Sequence, residues 1–403
     1  MHEATAAASW AAVVWGQFCR RRLAVAALWG VALLFALAAL APLIASSQPL
    51  WWRSAAGWSA PALTGLYDRK VFPFAVDLIF NALLFPGSLV VAVAALVMWT
   101  GRRAPRAVRR RVGRRAIGAA LSAWTLVVVG LLAVPTQSPD RDYRAEAAAL
   151  EAAGAPVQVV FAPVAWSPRD TVLADKLAGP SRGHPLGTDN EGRDTFARLL
   201  YGTRISLTIG VFAVAAYCLL GVGVGALAGY FGGWVDLAIV AVVEVVMCIP
   251  PMFLVLGAAA FIPDPSIFHI MGIIAAVSWT TPARLTRAEF LKLRGLDFVV
   301  AAEAVGYPRR TIIFREILPN ALGPVLVTAT FGIASAILVE SGMSFLGLGA
   351  FGAPSWGTML ATGRTEEAWM LILAPGFAIL VTVSLLNLVG EGVRDALDPR
   401  QRR

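Results

Sequence analysis

The stretch "AAEAVGYPRRTIIFREILPNAL", Ala301 to Leu322, separates two long apolar runs, and its reading decides how the rest of the chain is understood. Where a few polar residues would suffice as a connection, the chain inserts charge, a glycine, two prolines and a helical pattern. Just upstream, Asp297 follows the breaker Gly295 and reads as an N-cap. "FVVAAEAV" then makes two helical turns, and Gly306 is suited to a left-handed C′ position. Pro308 suits the first position of a second helix, supplied by "PRRTIIFREI". Pro319 removes a donor and disfavours helix at Leu318, so that helix is expected to stop there. Arg309 and Arg310 fall in its first turn, where the helix dipole favours acids by about 0.3–1 kcal/mol. Something else must favour arginine there, either lipid phosphate or a partner protein. Helices this short are marginal alone in water. The segment therefore reads as two short helices hinged at Gly306, standing off a membrane and in need of a surface.

The composition supplies the membrane. The chain has 403 residues, 58% hydrophobic and 15% charged, with a mean hydropathy of +0.70. Soluble globular chains carry about 25% charged residues. The net charge of +9 fits the positive-inside rule for a chain this apolar, so no nucleic-acid partner is expected. Cys19, Cys218 and Cys248 have no metal or disulfide spacing, and His2, His184 and His269 are scattered.

A spanning helix needs about 20 apolar residues. Eight segments qualify: 23–45, 75–99, 116–134, 205–229, 237–262, 266–283, 321–339 and 368–390. The first follows "CRRR" and exceeds the h-region of a signal peptide, so it reads as an uncleaved span with its N-terminus inside. The loop Thr100–Arg115 holds eight arginines and no acid, which places it in the cytoplasm. Segment 135–203 has seven Lys or Arg against nine Asp or Glu and falls outside by alternation. Both termini then lie in the cytoplasm. The expected fold is an all-α polytopic transmembrane bundle of about eight spans.

Within 135–203, "RDYRAEAAALEAAG" reads as a helix stopped by glycine, followed by the apolar patch "PVQVVFAPVAW". Its length implies a small folded outer module. Gly221, Gly225 and Gly229 have the small-xxx-small spacing that lets helix backbones approach closely. Asp77, Glu244 and Glu340 fall in or near spans, where an ionised carboxylate costs at least about 2.5–3.5 kcal/mol in lipid. They are expected to face the bundle interior or an interface, as hydrogen-bond partners or as part of a path, with no matching buried cation evident. In "GTDNEGRD", the calcium-loop spacing is absent, so a turn held by its own hydrogen bonds is expected.

The opening stretch resembles the EAA coupling loop of ABC importer permeases. Ala301, Ala302, Gly306, Leu318 and Pro319 match that pattern in register, while Val300 stands where it has Glu and Glu316 where it has Ile. Other stretches resemble the dipeptide/oligopeptide/nickel permeases in order: "HPLGTDNEGRDTFARLLYGTRISL", "GYFGGWVD", "ESGMSFLGLG", "PSWGTML" and "GEGVRDALDPR". The match covers about 184–400 and identifies the chain as similar to the second, C-type permease of such an importer. "VFAPVAW" and "WVDLAIVAVVEV" resemble the microcin C/oligopeptide branch. Two departures stand out: Ala241 replaces an arginine common among relatives, and residues 75–134 add two spans to the usual six.

The resemblance implies a type I permease fold with five parts. These are a first span and outer segment (1–74), an extra two-span hairpin (75–134), an extracytoplasmic segment (135–203), the permease domain (204–391) and a cytoplasmic tail (392–403). The one-sided charge of the hairpin predicts an anchor at the inner leaflet, peripheral to the pore. The resemblance also implies coupling residues Ala301, Ala302, Glu303, Gly306, Arg309, Arg310, Leu318, Pro319 and Asn320. It marks Gly187, Asp189, Gly192 and Asp194 as an extracytoplasmic family motif, and leaves Glu244 and Glu340 as intramembrane acidic candidates. The implied partners are a second permease, one or two ATPases, an extracytoplasmic solute-binding protein and membrane lipid. Lys70, Lys176 and Lys292 are the only lysines and none follows a glycine, so no P-loop lysine is present. ATP and Mg belong to partner subunits, no cofactor is expected in this chain, and no catalytic or metal-binding residue is assigned. Peptides are the first expectation for the cargo, with nickel, opines or peptide-like antibiotics behind. Rival readings are an ion-coupled carrier centred on Glu244 near "CIPPMF", and a protease built on Ser344, which lacks the GxSxG spacing.

Overall fold

The computed structural model describes residues 10–55, 57–90, 92, 93, 95, 118, 119, 122–130 and 141–398. The arginine loop 100–115, parts of the expected spans 75–99 and 116–134, and the last five residues of the tail lie outside them. The described chain divides into two units, residues 35–204 and residues 1–34 with 205–403.

Among the described residues, four helices are long and apolar enough to cross a membrane. They are α2 (Arg22–Ile44), α5 (Thr195–Phe231), α11 (Arg309–Phe345) and α13 (Trp369–Leu397). Further helices among the described residues are α1 (Trp10–Arg20), α3 (Ala75–Ala82), α4 (Tyr143–Ala152), α6 (Gly233–Met247), α7 (Pro251–Ala260), α8 (Ile267–Ser278), α9 (Thr280–Leu293), α10 (Asp297–Ala304) and α12 (Trp356–Thr365).

The expected span 237–262 is not straight. It is realised as α6 and α7, bent by 81°. Pro250 and Pro251 explain the break. Proline cannot donate to the ladder, and a residue before proline is pushed to extended backbone. Pro250 sits at ψ 130 and Pro251 opens α7. The expected span 266–283 becomes two successive helices, α8 and α9.

In the unit 1–34 with 205–403, α11 packs along α13 and α12, and α9 packs against α11. The glycine spacing works as expected. A Cβ on Gly221 would meet the Trp279 carbonyl at 2.6 Å, and one on Gly225 the Ala283 carbonyl at 2.3 Å. Only glycine lets α5 lie this close to α9. Arg287 then clamps α9 to α6, its Nε and Nη2 donating to Asp236 at 2.5 and 2.7 Å. At one end of this unit Phe18, Ala24 and Ala396 form a cluster, and Arg21 pairs with Asp395 at 2.9 Å. The start of α2 and the end of α13 therefore lie together.

The unit 35–204 carries a feature absent from the sequence reading, a three-stranded antiparallel sheet of order β2-β1-β3. Its strands are β1 (Trp51–Ser54), β2 (Gly57–Ser59) and β3 (Gln158–Val160), with Trp52 opposite Ser59 on one side and Val159 on the other. The apolar patch after α4 thus pairs with a tryptophan-rich hairpin more than 100 positions earlier. The expected helix is α4, N-capped by the Asp142 side chain and followed by Gly154 at φ +69°.

Arg204 is fully buried in this unit. It donates to Asp77 at 3.0 Å, to Asn81 at 2.9 Å and to the Ala38 carbonyl at 2.7 Å. This supplies the buried cation that the sequence reading did not find for Asp77.

Candidate functional site

The segment Ala301–Leu322, with α10 leading into it, is built on a packed inner face. Val299 and Ala302 of α10 sit in a core with Phe290, Leu293, Ile312, Ile317 and Ala321. Ala301 and Glu303 lie on the opposite, exposed side. The helix stops by a complete Schellman arrangement. Tyr307 N–H donates to the Ala302 carbonyl at 3.1 Å and Gly306 N–H to Glu303 at 2.9 Å. Gly306 is the C′ residue at φ +85°, a conformation that suits glycine and strains a side chain.

Three details differ from the expectation. Leu296, not Asp297, occupies the N-cap, and Asp297 is the first helical residue. Its carboxylate still lies in the first turn, where the dipole favours it. Pro308 is an N-cap in extended backbone rather than the first helical residue.

The third difference is larger. No second short helix ends at Pro319, because Arg309–Phe345 runs on as one helix. Leu318 is helical at φ −55° and ψ −45° despite the proline that follows. A π turn, Ile312–Ile317, precedes Pro319 and takes up the missing donor by widening the helix. Asn320 Nδ2 then donates to the Glu316 carbonyl at 2.7 Å, satisfying one of the carbonyls that the irregular turn releases. The segment is therefore one short helix and a left-handed turn feeding directly into a span.

The outward face has a distinct character. Val300, Val305, Tyr307 and Phe314 are exposed at 53%, 73%, 48% and 64%. Arg309 and Arg310 are exposed beside them, as are Pro319 and Asn320, while Leu318 is half-buried. Large exposed apolar side chains with arginines on the same segment suit a protein contact surface.

The motif before α5 forms a closed turn. Asp189 is fully buried and accepts from the backbone N–H groups of Glu191 and Arg193 at 2.8 and 2.9 Å. Its other oxygen accepts from Arg193 Nε at 2.7 Å and from Arg198. Burial pushes the Asp189 carboxyl up, but Arg198 and the Arg193 donors outweigh it and hold it below the usual range. Gly187 and Gly192 take positive φ within the turn. Asp194 caps α5, accepting from Ala197 N at 2.7 Å, and also holds His184 Nδ1 at 2.9 Å. Burial raises the Asp194 pKa against the opposing pull of the Ala197 N–H and His184. His184 and the fixing of this turn by Arg198 escaped the sequence reading.

The two intramembrane candidates part company. Glu340 is buried in α11 and accepts from Ser344 at 2.7 Å, with Ser206 and Ser341 at 3.4 and 3.5 Å. Glu244 is exposed. It lines an open groove of about 840 Å³ between α6 and α9, with Met247, Arg284 and Arg287 among its neighbours. Of the two expected placements, bundle interior or interface, Glu244 does not take the interior within this chain.

Long apolar helices, with an exposed element feeding one of them, define a polytopic membrane protein. The family model described as "Binding-protein-dependent transport system inner membrane component" matches residues 221–403. The one described as "N-terminal TM domain of oligopeptide transport permease C" matches residues 9–55. A dipeptide transport system permease protein of Alkalihalophilus pseudofirmus is 40% identical over 248 residues, covering 60% of this chain and 81% of that protein. An oligopeptide transport system permease protein of Bacillus subtilis is 36% identical, covering 61% and 82%. A peptidoglycan transport system permease protein of Agrobacterium fabrum is 42% identical, covering 54% and 57%. Among solved structures, the inward-facing MetNI methionine ABC transporter aligns at 17% identity and a TM-score of 0.42, covering 50% of this chain and 97% of that one. The chain belongs to the family of binding-protein-dependent inner-membrane permeases. It is a multi-pass inner-membrane protein of the type I importer permease fold and a pore-forming subunit.

Proposed function

We propose that this subunit moves di- and oligopeptides or peptide-like solutes, driven by ATP hydrolysed on separate subunits that dock against α10 and the Gly306 turn. The carrying observation is the exposed face of Val300, Val305, Tyr307 and Phe314 beside Arg309 and Arg310. Its reverse side is packed into α9 and α11, so a push on this face is delivered to a span. Glu303 and Gly306 lie at the end of α10, and Leu318, Pro319 and Asn320 lie within α11. A second permease would complete the pore, and an extracytoplasmic binding protein would deliver the solute. On this reading the chain performs no catalysis, and ATP and Mg are held by its partners. Peptide cargo is supported by the names of relatives that match at 36–40% identity.

The test is co-purification of the tagged chain in mild detergent, with its companions identified by mass spectrometry. A second permease and at least one ATPase are expected. A chain recovered as a homo-oligomer without an ATPase would overturn the docking assignment.

A further inference from the structure

A cavity of about 750 Å³ opens in the unit 35–204, at the segment expected on the outer side. This falls within the roughly 300–1,000 Å³ of small-ligand sites. Its wall gathers four cations, Lys70, Arg141, Arg144 and Arg169. Three carboxylates share the wall, but each already serves the backbone. Asp68 accepts from Lys70 N at 2.8 Å, Asp142 caps α4 through Arg144 N and Ala145 N, and Asp170 accepts from Ser167 N at 2.9 Å.

Arg144 is the least satisfied of the cations. Its Nε and Nη2 are closed off from solvent and make no hydrogen bond. The nearest carboxylate oxygen, on Asp170, stands 3.7 Å from Nη2, beyond hydrogen-bonding length. Burial lowers the Arg144 pKa against the opposing pull of Asp170 and Asp142. The guanidinium is nevertheless held in place. It lies 3.5 Å over the Trp166 ring, and that ring stacks on His184 at 4.7 Å and donates to the Gly183 carbonyl at 3.0 Å. The cation is thus preorganised on a rigid aromatic wall that the neighbouring family motif supports.

We propose that this cavity binds a small solute through a free carboxylate, seated among Arg144, Lys70 and Arg141. A carboxylate matches the planar guanidinium fork and offers the acceptor that Arg144 Nε and Nη2 lack. The demand for a carboxylate comes from the cavity alone. The choice of a peptide as the probe rests on the peptide-import reading.

The full chain is reconstituted in phosphatidylcholine nanodiscs and titrated calorimetrically with trialanine and with trialanine amide. Trialanine is expected to bind about tenfold more tightly than the amide, the loss of one charge-assisted bond. The exposed pair Lys70→Gln/Arg141→Gln leaves the stack intact and is expected to weaken trialanine binding severalfold, and Arg144→Gln more. Equal binding of acid and amide, no binding of either, or indifference to the Lys70→Gln/Arg141→Gln pair would overturn the site. Complete block of trialanine binding by phosphatidylglycerol in the disc would make a lipid headgroup the occupant and also overturn it. No ATPase is needed, so failure here leaves the pore assignment standing.

Discussion

At the scale of single residues, Asp189 shows how much one carboxylate organises. It is fully buried and gathers two arginines and two backbone N–H groups. The Arg198 side chain is only 6% exposed, so removing its partner leaves a buried charge uncompensated. Asp189→Asn is expected to destabilise the turn by about 3–5 kcal/mol, seen as a lowered melting temperature of the detergent-extracted protein at pH 7. The pH dependence has a fixed sign. The Asp189 pKa is depressed below 3.8 in the folded state. Its contribution is therefore complete above 3.8 and is lost as pH falls through the folded value. The melting gap between wild type and variant should hold from pH 7 to 5 and close below 3.8. A gap that instead narrows between pH 7 and 5 would mean another group holds the turn. The self-bonded turn was legible from "GTDNEGRD", because Asp189, Asn190 and Gly192 in that order carry local chemistry. Arg198 as its anchor was not, since nothing in an apolar helix start announces a partner nine positions back. The Arg204–Asp77 pair was less legible still, with 127 positions between its members.

At the scale of elements, the legible features were those with local causes. Gly306 as C′, the helix Tyr143–Ala152 and the glycine face of α5 all follow from short-range geometry. Pro319 misled for an instructive reason. Proline forbids one hydrogen bond, but it does not forbid helix when the preceding turn widens to π. The sheet was missed because β3 pairs with a strand far upstream, and pairing register is not a local property. Gly306 remains the element-scale test of coupling. At φ +85° a β-branched side chain is strained by at least about 1–2 kcal/mol, which should open the Schellman turn without disturbing the core around Val299. Gly306→Val is expected to insert and assemble normally while solute-stimulated ATPase activity and uptake separate in proteoliposomes. Gly306→Asn, which tolerates the left-handed region, should retain most of the coupling. Unchanged uptake by the valine variant would remove Gly306 from the coupling role.

At the scale of the whole molecule, the added residues 75–134 pose the sharpest question. Their charge inventory argues for a hairpin peripheral to the pore, yet Asp77 and Asn81 hold the buried Arg204 guanidinium. Deleting 75–134 therefore does two things at once: it removes the segment expected to form a hairpin and strands a charge. These effects can be separated. The deletion alone is expected to lower stability by about 3–5 kcal/mol, because it leaves Arg204 unpaired in a fully buried position. Combining it with Arg204→Met removes that charge and keeps a side chain of similar reach, so most of the stability should return, as it does when buried ion pairs are replaced by apolar groups. If the hairpin is peripheral, the combined variant assembles with its partners and still transports, measured as solute uptake alongside the melting temperature. Assembly without transport would place the hairpin in the pore. A deletion that melts like wild type without the Arg204 substitution would show that the arginine finds another partner, and the ion pair would lose its structural standing.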